Sequence, residues 1–204
     1  MIAERLELAD WRRQMSELYA AIRADVDPIS AWMRWREVRD RLYRSHPQSP
    51  VPTIERGDAT APAYFDYDPA LRTAADVDAG DGATFELPGS TSGHVTAERA
   101  GTARFSLGGT PISLSMFWLL DYAGGFFLSF RDATSGDETY GAGRYVLDTA
   151  KGADLGTDGT GRVVVDFNFS YQPSCSYDPQ WSCPLPPREN WLTVPIRAGE
   201  RLPR

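Results

Sequence analysis

The stretch from Phe130 to Asn190 gathers the residues able to do chemistry. It reads FRDATSGDETYGAGRY and then DFNFSYQPSCSYDPQWSCPLPPREN, with charged and hydroxyl residues set inside runs otherwise patterned as buried strand. A buried charge is costly unless paired, so such residues mark either a site or an internal ion pair. Arg131 and Arg144 could hold an anionic group, because a guanidinium meets a carboxylate as a two-pronged fork. Glu138, Tyr140, Asp166 and Asn168 could orient the rest of a small anionic or polar ligand. The same pocket admits an enzyme of hydrolase or isomerase type. Glu138 or Asp166 would be the base, Tyr140 the acid, and an arginine would face a developing oxyanion. The competing structural reading has Arg131 and Arg144 simply neutralise Glu138 and Asp166. None of these readings specifies a cofactor.

Cys175 and Cys183 stand eight positions apart in the turn-rich segment that follows. They could be half of a zinc site, completed by His46, His94 or a carboxylate, although the CxxC spacing of structural zinc is missing. They could be a redox pair, or Cys175 could be a nucleophile, given an electropositive neighbour such as Arg188 or Arg144 to lower its pKa. They could also be two packed thiols, since free cysteine is among the most buried residue types. The segment Pro184-Leu185-Pro186-Pro187 has the composition of a polyproline II ligand, which would make the chain a protein-interaction module. Alternatively it steers the chain rigidly into a last strand.

These residues need a sheet to position them. The pattern predicts a hairpin of 126–132 and 138–148, turning at Ser135-Gly136. A two-residue loop would set Asp132 opposite Thr139 and Arg131 opposite Tyr140. Alternation then groups Phe127, Ser129, Arg131, Glu138, Tyr140 and Arg144 on one face. The next strand, 161–171, puts Val165, Phe167, Phe169 and Tyr171 on one face and Asp166 and Asn168 on the other, within reach of Arg144. Gly141 and Gly143 suggest a bulge or a close backbone approach. The GAG triplet has neither the spacing nor the lysine of a phosphate-binding loop.

Further strands are expected at 71–77, 83–87, 93–99, 102–107, 112–120, 125–132 and 192–197, which predicts an antiparallel barrel-like or sandwich domain over 71–204. Two helices precede it within 1–46. Over 2–25, Trp11, Met15, Leu18, Tyr19 and Ile22 share one face. Asp27-Pro28 supplies an N-cap and a first-turn proline for a second helix to Ser45, stopped by His46-Pro47. Arg34, Arg36, Arg39, Arg41 and Arg44, interleaved with Glu37 and Asp40, read better as a solvated face laced by i,i+4 pairs than as an anion-binding face. A proline-rich connector over 47–70 should run extended. The fold class is therefore mainly β with N-terminal helices.

The 204 residues are 42% hydrophobic and 12% aromatic, enough for a full core. A net charge of −7 speaks against nucleic acid or an anionic membrane as the main partner and leaves a small-molecule ligand as the expected one. Lys151 is the single lysine among 21 basic residues, which fits a GC-rich codon bias. No basic stretch followed by an apolar one opens the chain, so the expected location is cytosolic, where both cysteines should stay thiols.

The blocks FRDATSGDETYGAGRY, VDFNFSYQPSCSYDP and SCPLPPRENWL resemble domain-of-unknown-function family sixteen eighty-four, which occurs in bacteria and archaea. The likeness covers about residues 60–200. It is carried by Arg131, Asp132, Thr139, Tyr140, Gly143, Arg144 and Tyr145 in one block. The other block is Asp166, Asn168, Tyr171, Cys175, Cys183, Pro184, Pro186, Pro187 and Asn190. SHPQSP and the preceding Trp/Arg-rich helix are also similar to that family's N-terminal part, where longer members carry an extra region. The resemblance implies a single domain and brings no activity with it.

Overall fold

The computed structural model of the protein describes residues 2–57, 61–91, 93–120 and 124–203. Residues 58–60 of the expected connector lie outside these. Helix α1 (Ile2–Ala24) buries Met15, Leu18, Tyr19 and Ile22, the stripe expected from their spacing. Helix α2 (Pro28–Ser45) begins as expected: Asp27 accepts from the Ile29 N–H, and Pro28 fills the first turn. His46 ends it, its N–H bonded to the Leu42 carbonyl. No helix among the described residues is long and apolar enough to cross a membrane.

The strands are β1 (Ala63–Tyr64), β2 (Arg72–Ala79), β3 (Thr84–Pro88), β4 (His94–Leu107), β5 (Thr110–Leu119), β6 (Gly125–Phe130), β7 (Arg144–Asp148), β8 (Val163–Asp166) and β9 (Glu200–Arg201). Seven of them form one antiparallel sheet in the order β7-β6-β5-β4-β2-β8, with β3 beside β4. Tyr145 of β7 exchanges two hydrogen bonds with Tyr171, in the segment that follows β8, so the sheet curls into a nearly closed barrel. Strands β1 and β9 pair separately.

The two strands expected at 93–99 and 102–107 are one strand with a bulge between Arg99 and Gly101. The bulge reverses which side of β4 faces which core. Ala97 packs with the helices, whereas Ala103, of the same parity, packs with Leu114 and Met116 on the opposite face. Gly101 is needed there because a Cβ would lie 2.8 Å from the Asp78 carbonyl. The first core unites α1 and α2 with Phe117, Phe127, Tyr145, Phe169 and Tyr171. The second holds Leu128, Phe130, Val165, Phe167, Ile196 and Ala198.

Three sequence expectations fail here. The hairpin of β6 and β7 pairs only as far as Phe130↔Arg144, and residues 131–143 form a loop of turns instead of two strand ends. A bulge between Leu128 and Ser129 also slips the register, so Arg144 shares a face with Phe130 and not, as expected, with Ser129. The expected strand 161–171 stops at Asp166, whose carboxylate accepts from the Asn168 N–H and starts a 3-10 turn over Phe167–Phe169. Residues 192–197 form no regular strand; Leu192 and Val194 bond irregularly to residues 131–133.

Candidate functional site

Arg144 is wholly buried, and its two terminal nitrogens are fully engaged. Nη1 donates to the carbonyls of Ala198 and Glu200, the latter at 3.1 Å. Nη2 donates to the Ile196 carbonyl at 2.7 Å and to Asp132 Oδ1 at 3.3 Å. The Asp132 carboxylate in turn accepts from the Ile196 N–H at 2.6 Å and from the Thr134 hydroxyl at 2.9 Å. The Thr134 hydroxyl also meets that of Thr139 at 2.9 Å. Burial lowers the Arg144 pKa below its ordinary value, and Asp132 works against that shift. The cluster fastens the C-terminal segment to the end of β7. Gly143 permits the turn into it at φ 100°, where a Cβ would lie 2.5 Å from the Phe130 carbonyl.

The other expected site residues do not converge on Arg144. Arg131 lies over the Trp191 ring, 4.4 Å from its centre. Glu138 forms a two-oxygen pair with Arg197 at 2.9 Å. Asp166 pairs with Arg72 at 3.0 Å and accepts from the Asn168 side chain at 2.8 Å. Asn168 exchanges two hydrogen bonds with the backbone of Asp68, and so mimics a strand partner. Tyr140 points to Cys175 Sγ at 3.8 Å. Only Asp166 and Asn168 are brought together as expected. The register slip and the loop over 131–143 separate the rest. Asn190, another motif residue, clamps strands through the Ser115 backbone and the Ser129 carbonyl.

The arginine-rich face of α2 also differs from expectation. Arg39 is buried, paired with the fully buried Glu200, and donates to the Tyr43 hydroxyl at 2.6 Å. Its guanidinium lies against the rings of Trp35, Tyr43 and Tyr171. Glu200 also accepts from the Gln172 N–H at 2.7 Å and the Tyr177 hydroxyl at 3.1 Å. Burial opposes the Arg39 charge, but Glu200 and the surrounding phenols hold its pKa above the ordinary value. A sequence signal existed: Arg39 falls on the stripe of Trp32, Trp35, Leu42 and Tyr43, where a solvated charge has no place. Of the other arginines of α2, Arg34 reaches Asp25, Arg36 covers Trp32 and Tyr64, and Arg41 reaches Gln14.

Beside this buried pair, between the helices and the barrel, lies a cavity of about 360 Å3. Its walls include the rings of Trp11, Tyr43, Tyr145, Tyr171 and Trp181. The phenols are already committed: Tyr145 donates to the Pro184 carbonyl at 2.5 Å, and Tyr171 reaches Asp148 at 3.5 Å. What they offer the cavity is therefore ring surface. Exposed Arg12 and Lys151 stand at its mouth. Lys151 is 3.6 Å from Asp148, whereas Arg12 has no ion-pair partner among the described residues. None of the six residues expected to bind a ligand lines this cavity. Sequence reasoning missed it because its walls come from α1, the connector and the segment after β8, each read separately.

Cys183 lines the same cavity, and Cys175 lies behind it in a short 3-10 turn (Ser174–Ser176). Both are free thiols. The Tyr140 hydroxyl lies 3.8 Å from Cys175 Sγ, and the Cys183 thiol and Ser90 hydroxyl are neighbours of the same sulfur, the Ser90 proton going to the Trp181 carbonyl at 3.0 Å. The Cys183 contact, then those of Ser90 and Tyr140, bring the Cys175 thiol down to about 6 against the opposition of burial. The Cys183 thiol and the Tyr140 phenol shift upward, Tyr140 to about 12 chiefly through burial. Among the described residues no third cysteine, histidine or carboxylate completes a cluster able to hold a metal ion.

A pair of helices laid on a nearly closed antiparallel barrel, with an aromatic-walled cavity at their junction, defines the class of this protein. Within it, the chain belongs to the family described as protein of unknown function (DUF1684), whose model matches residues 60–201. It is similar to the solution NMR structure of an uncharacterised protein from gene locus rrnAC0354 of Haloarcula marismortui. The identity is 36%, over 82% of this chain and 90% of that one, with a TM-score of 0.60. No curated protein matches it.

Proposed function

We propose that the chain binds a small ligand with a flat apolar body and an anionic end in the cavity between the helices and the barrel. The observation that carries this reading is the pairing of ring-walled space with an uncommitted cation, Arg12, at its mouth. A volume of about 360 Å3 is in the range that small-molecule sites occupy. Glu138 and Asp166 each face an arginine, which takes support from their use as catalytic bases. Pro186 is buried and the Leu185 N–H donates to the Pro88 carbonyl, so the proline segment is a poor open docking motif. Free thiols fit the cytosolic setting that the sequence suggests.

The probe for a test is anilinonaphthalene sulfonate, which has a flat aromatic body and one anionic group. Saturable binding at one site per chain is expected. Trp181→Ala should weaken it about tenfold, as loss of one buried anchor costs more than 1 kcal/mol. Absence of saturable binding, or an unchanged affinity in both Trp181→Ala and Arg12→Ala, would refute the reading.

A further inference from the structure

We propose that Cys175 and Cys183 form a hydroperoxide-sensitive redox site, oxidised to a disulfide through a sulfenic acid on Cys175 and restored by a low-molecular-weight thiol. The two sulfurs are neighbours, each the first influence on the other's ionisation, and both are free. The Tyr140 hydroxyl lies 3.8 Å from the Cys175 sulfur, a donor placed where a thiolate's charge would sit. Cys183 is held in place from behind: its N–H donates to Ser90 Oγ at 3.0 Å, and its carbonyl accepts from the Ser90 N–H at 2.8 Å. Cys175 is only 9% exposed, which suits a small oxidant and excludes a bulky one. Cys183 and Ser174, the residue before Cys175, line the cavity, which brings solvent to the edge of the pair. The inference stands apart from the ligand reading, since it uses the cavity only for access.

The chemistry balances with two co-reactants. The Cys175 thiolate attacks one peroxide oxygen; the S–O bond forms and the O–O bond breaks. The departing alkoxide, or hydroxide for hydrogen peroxide, takes a proton from solvent. The Cys183 sulfur then attacks the sulfenic acid. The S–S bond forms, the S–O bond breaks, and hydroxide leaves with the Cys183 proton as water. The two sulfurs together lose two electrons and the peroxide gains them. Two thiol–disulfide exchanges with the external thiol reverse the change and convert that thiol to its own disulfide. The sulfurs must close to about 2 Å, which draws on the loop that carries Trp181.

The experiment is hydrogen peroxide treatment of the full chain, followed by alkylation of remaining thiols and mass spectrometry under denaturing conditions. Expected is the loss of two hydrogens per chain, both thiols vanishing together, a peptide cross-link between Cys175 and Cys183, and recovery with reduced glutathione. The folded chain should react at least about tenfold faster than the same chain unfolded in urea, because the donors around Cys175 exist only in the fold. In Cys183→Ser the reaction should stop at a sulfenic acid on Cys175, trapped by a 1,3-dione. Folded and unfolded chains reacting equally fast, or two thiols oxidised independently without a cross-link, would overturn the proposal. The rate comparison decides the matter even if the variant does not fold. Binding of anilinonaphthalene sulfonate is a separate readout, so either result can fail while the other stands.

Discussion

The Arg144 cluster and the cavity beneath α1 both bring polar groups below the surface, and they treat them in opposite ways. Around Arg144, carbonyls and a carboxylate occupy both terminal nitrogens, and only the buried Nε goes without a partner among the described residues. In the cavity the phenols spend their hydroxyls on the protein and leave ring faces bare, with Arg12 free at the mouth. A charged cluster inside a motif is thus no guide to a ligand site. What marks one is surface left uncommitted after the protein's own pairing is complete.

The largest expected effect tests the saturated side. Arg144→Met should leave Asp132 buried without its partner and cost about 3–5 kcal/mol in a urea titration. Under conditions where the variant stays folded, its affinity for anilinonaphthalene sulfonate should match that of the parent. A loss of affinity with little loss of stability would reverse the contrast. Glu200→Gln comes next, at about 3 kcal/mol, since it leaves Arg39 buried and unpaired. Because Arg39 also lines the cavity, this variant should weaken the probe as well and so sharpen where one region ends and the other begins.

On the open side, Trp181→Ala should cost the probe about tenfold in affinity while the urea midpoint moves by less than about 1 kcal/mol equivalent. Arg12→Ala should cost about fivefold or less, and that loss should fade with added salt, as expected of a charge at a solvent-exposed mouth. The smallest change concerns pH. With the Cys175 thiol brought down to about 6 by Cys183, Ser90 and Tyr140, the thiolate forms as pH rises through that value. Its alkylation rate should then rise less than about twofold from pH 7 to 9, where an ordinary thiol of pKa about 8.5 gains more than about tenfold. A rate climbing steeply across that interval would show that Cys183 and its neighbours do not stabilise the thiolate.

Some of this was written locally and some was not. The spacing of Met15, Leu18, Tyr19 and Ile22, the Asp27-Pro28 start of α2 and the alternation in the strands belong to the sequence alone. Each rests on neighbours a few positions apart, where helical or strand period dictates the face. The bulges at Arg99/Gly101 and Leu128/Ser129 were not legible, and the second of them, with the loop over 131–143, parted Arg131, Glu138, Tyr140 and Arg144 from one another and from Asp166 and Asn168. Pairing across long separations was equally hidden. Arg39 finds Glu200 161 positions away, and Arg144 finds the carbonyls of Ile196 and Ala198. Residue types already fixed that these charges would need partners and that the thiols could react. Only the packing of helices on the barrel decided which partners they found, and where space was left over, because a charge buried in low dielectric is satisfied by whatever the whole chain brings within hydrogen-bond reach.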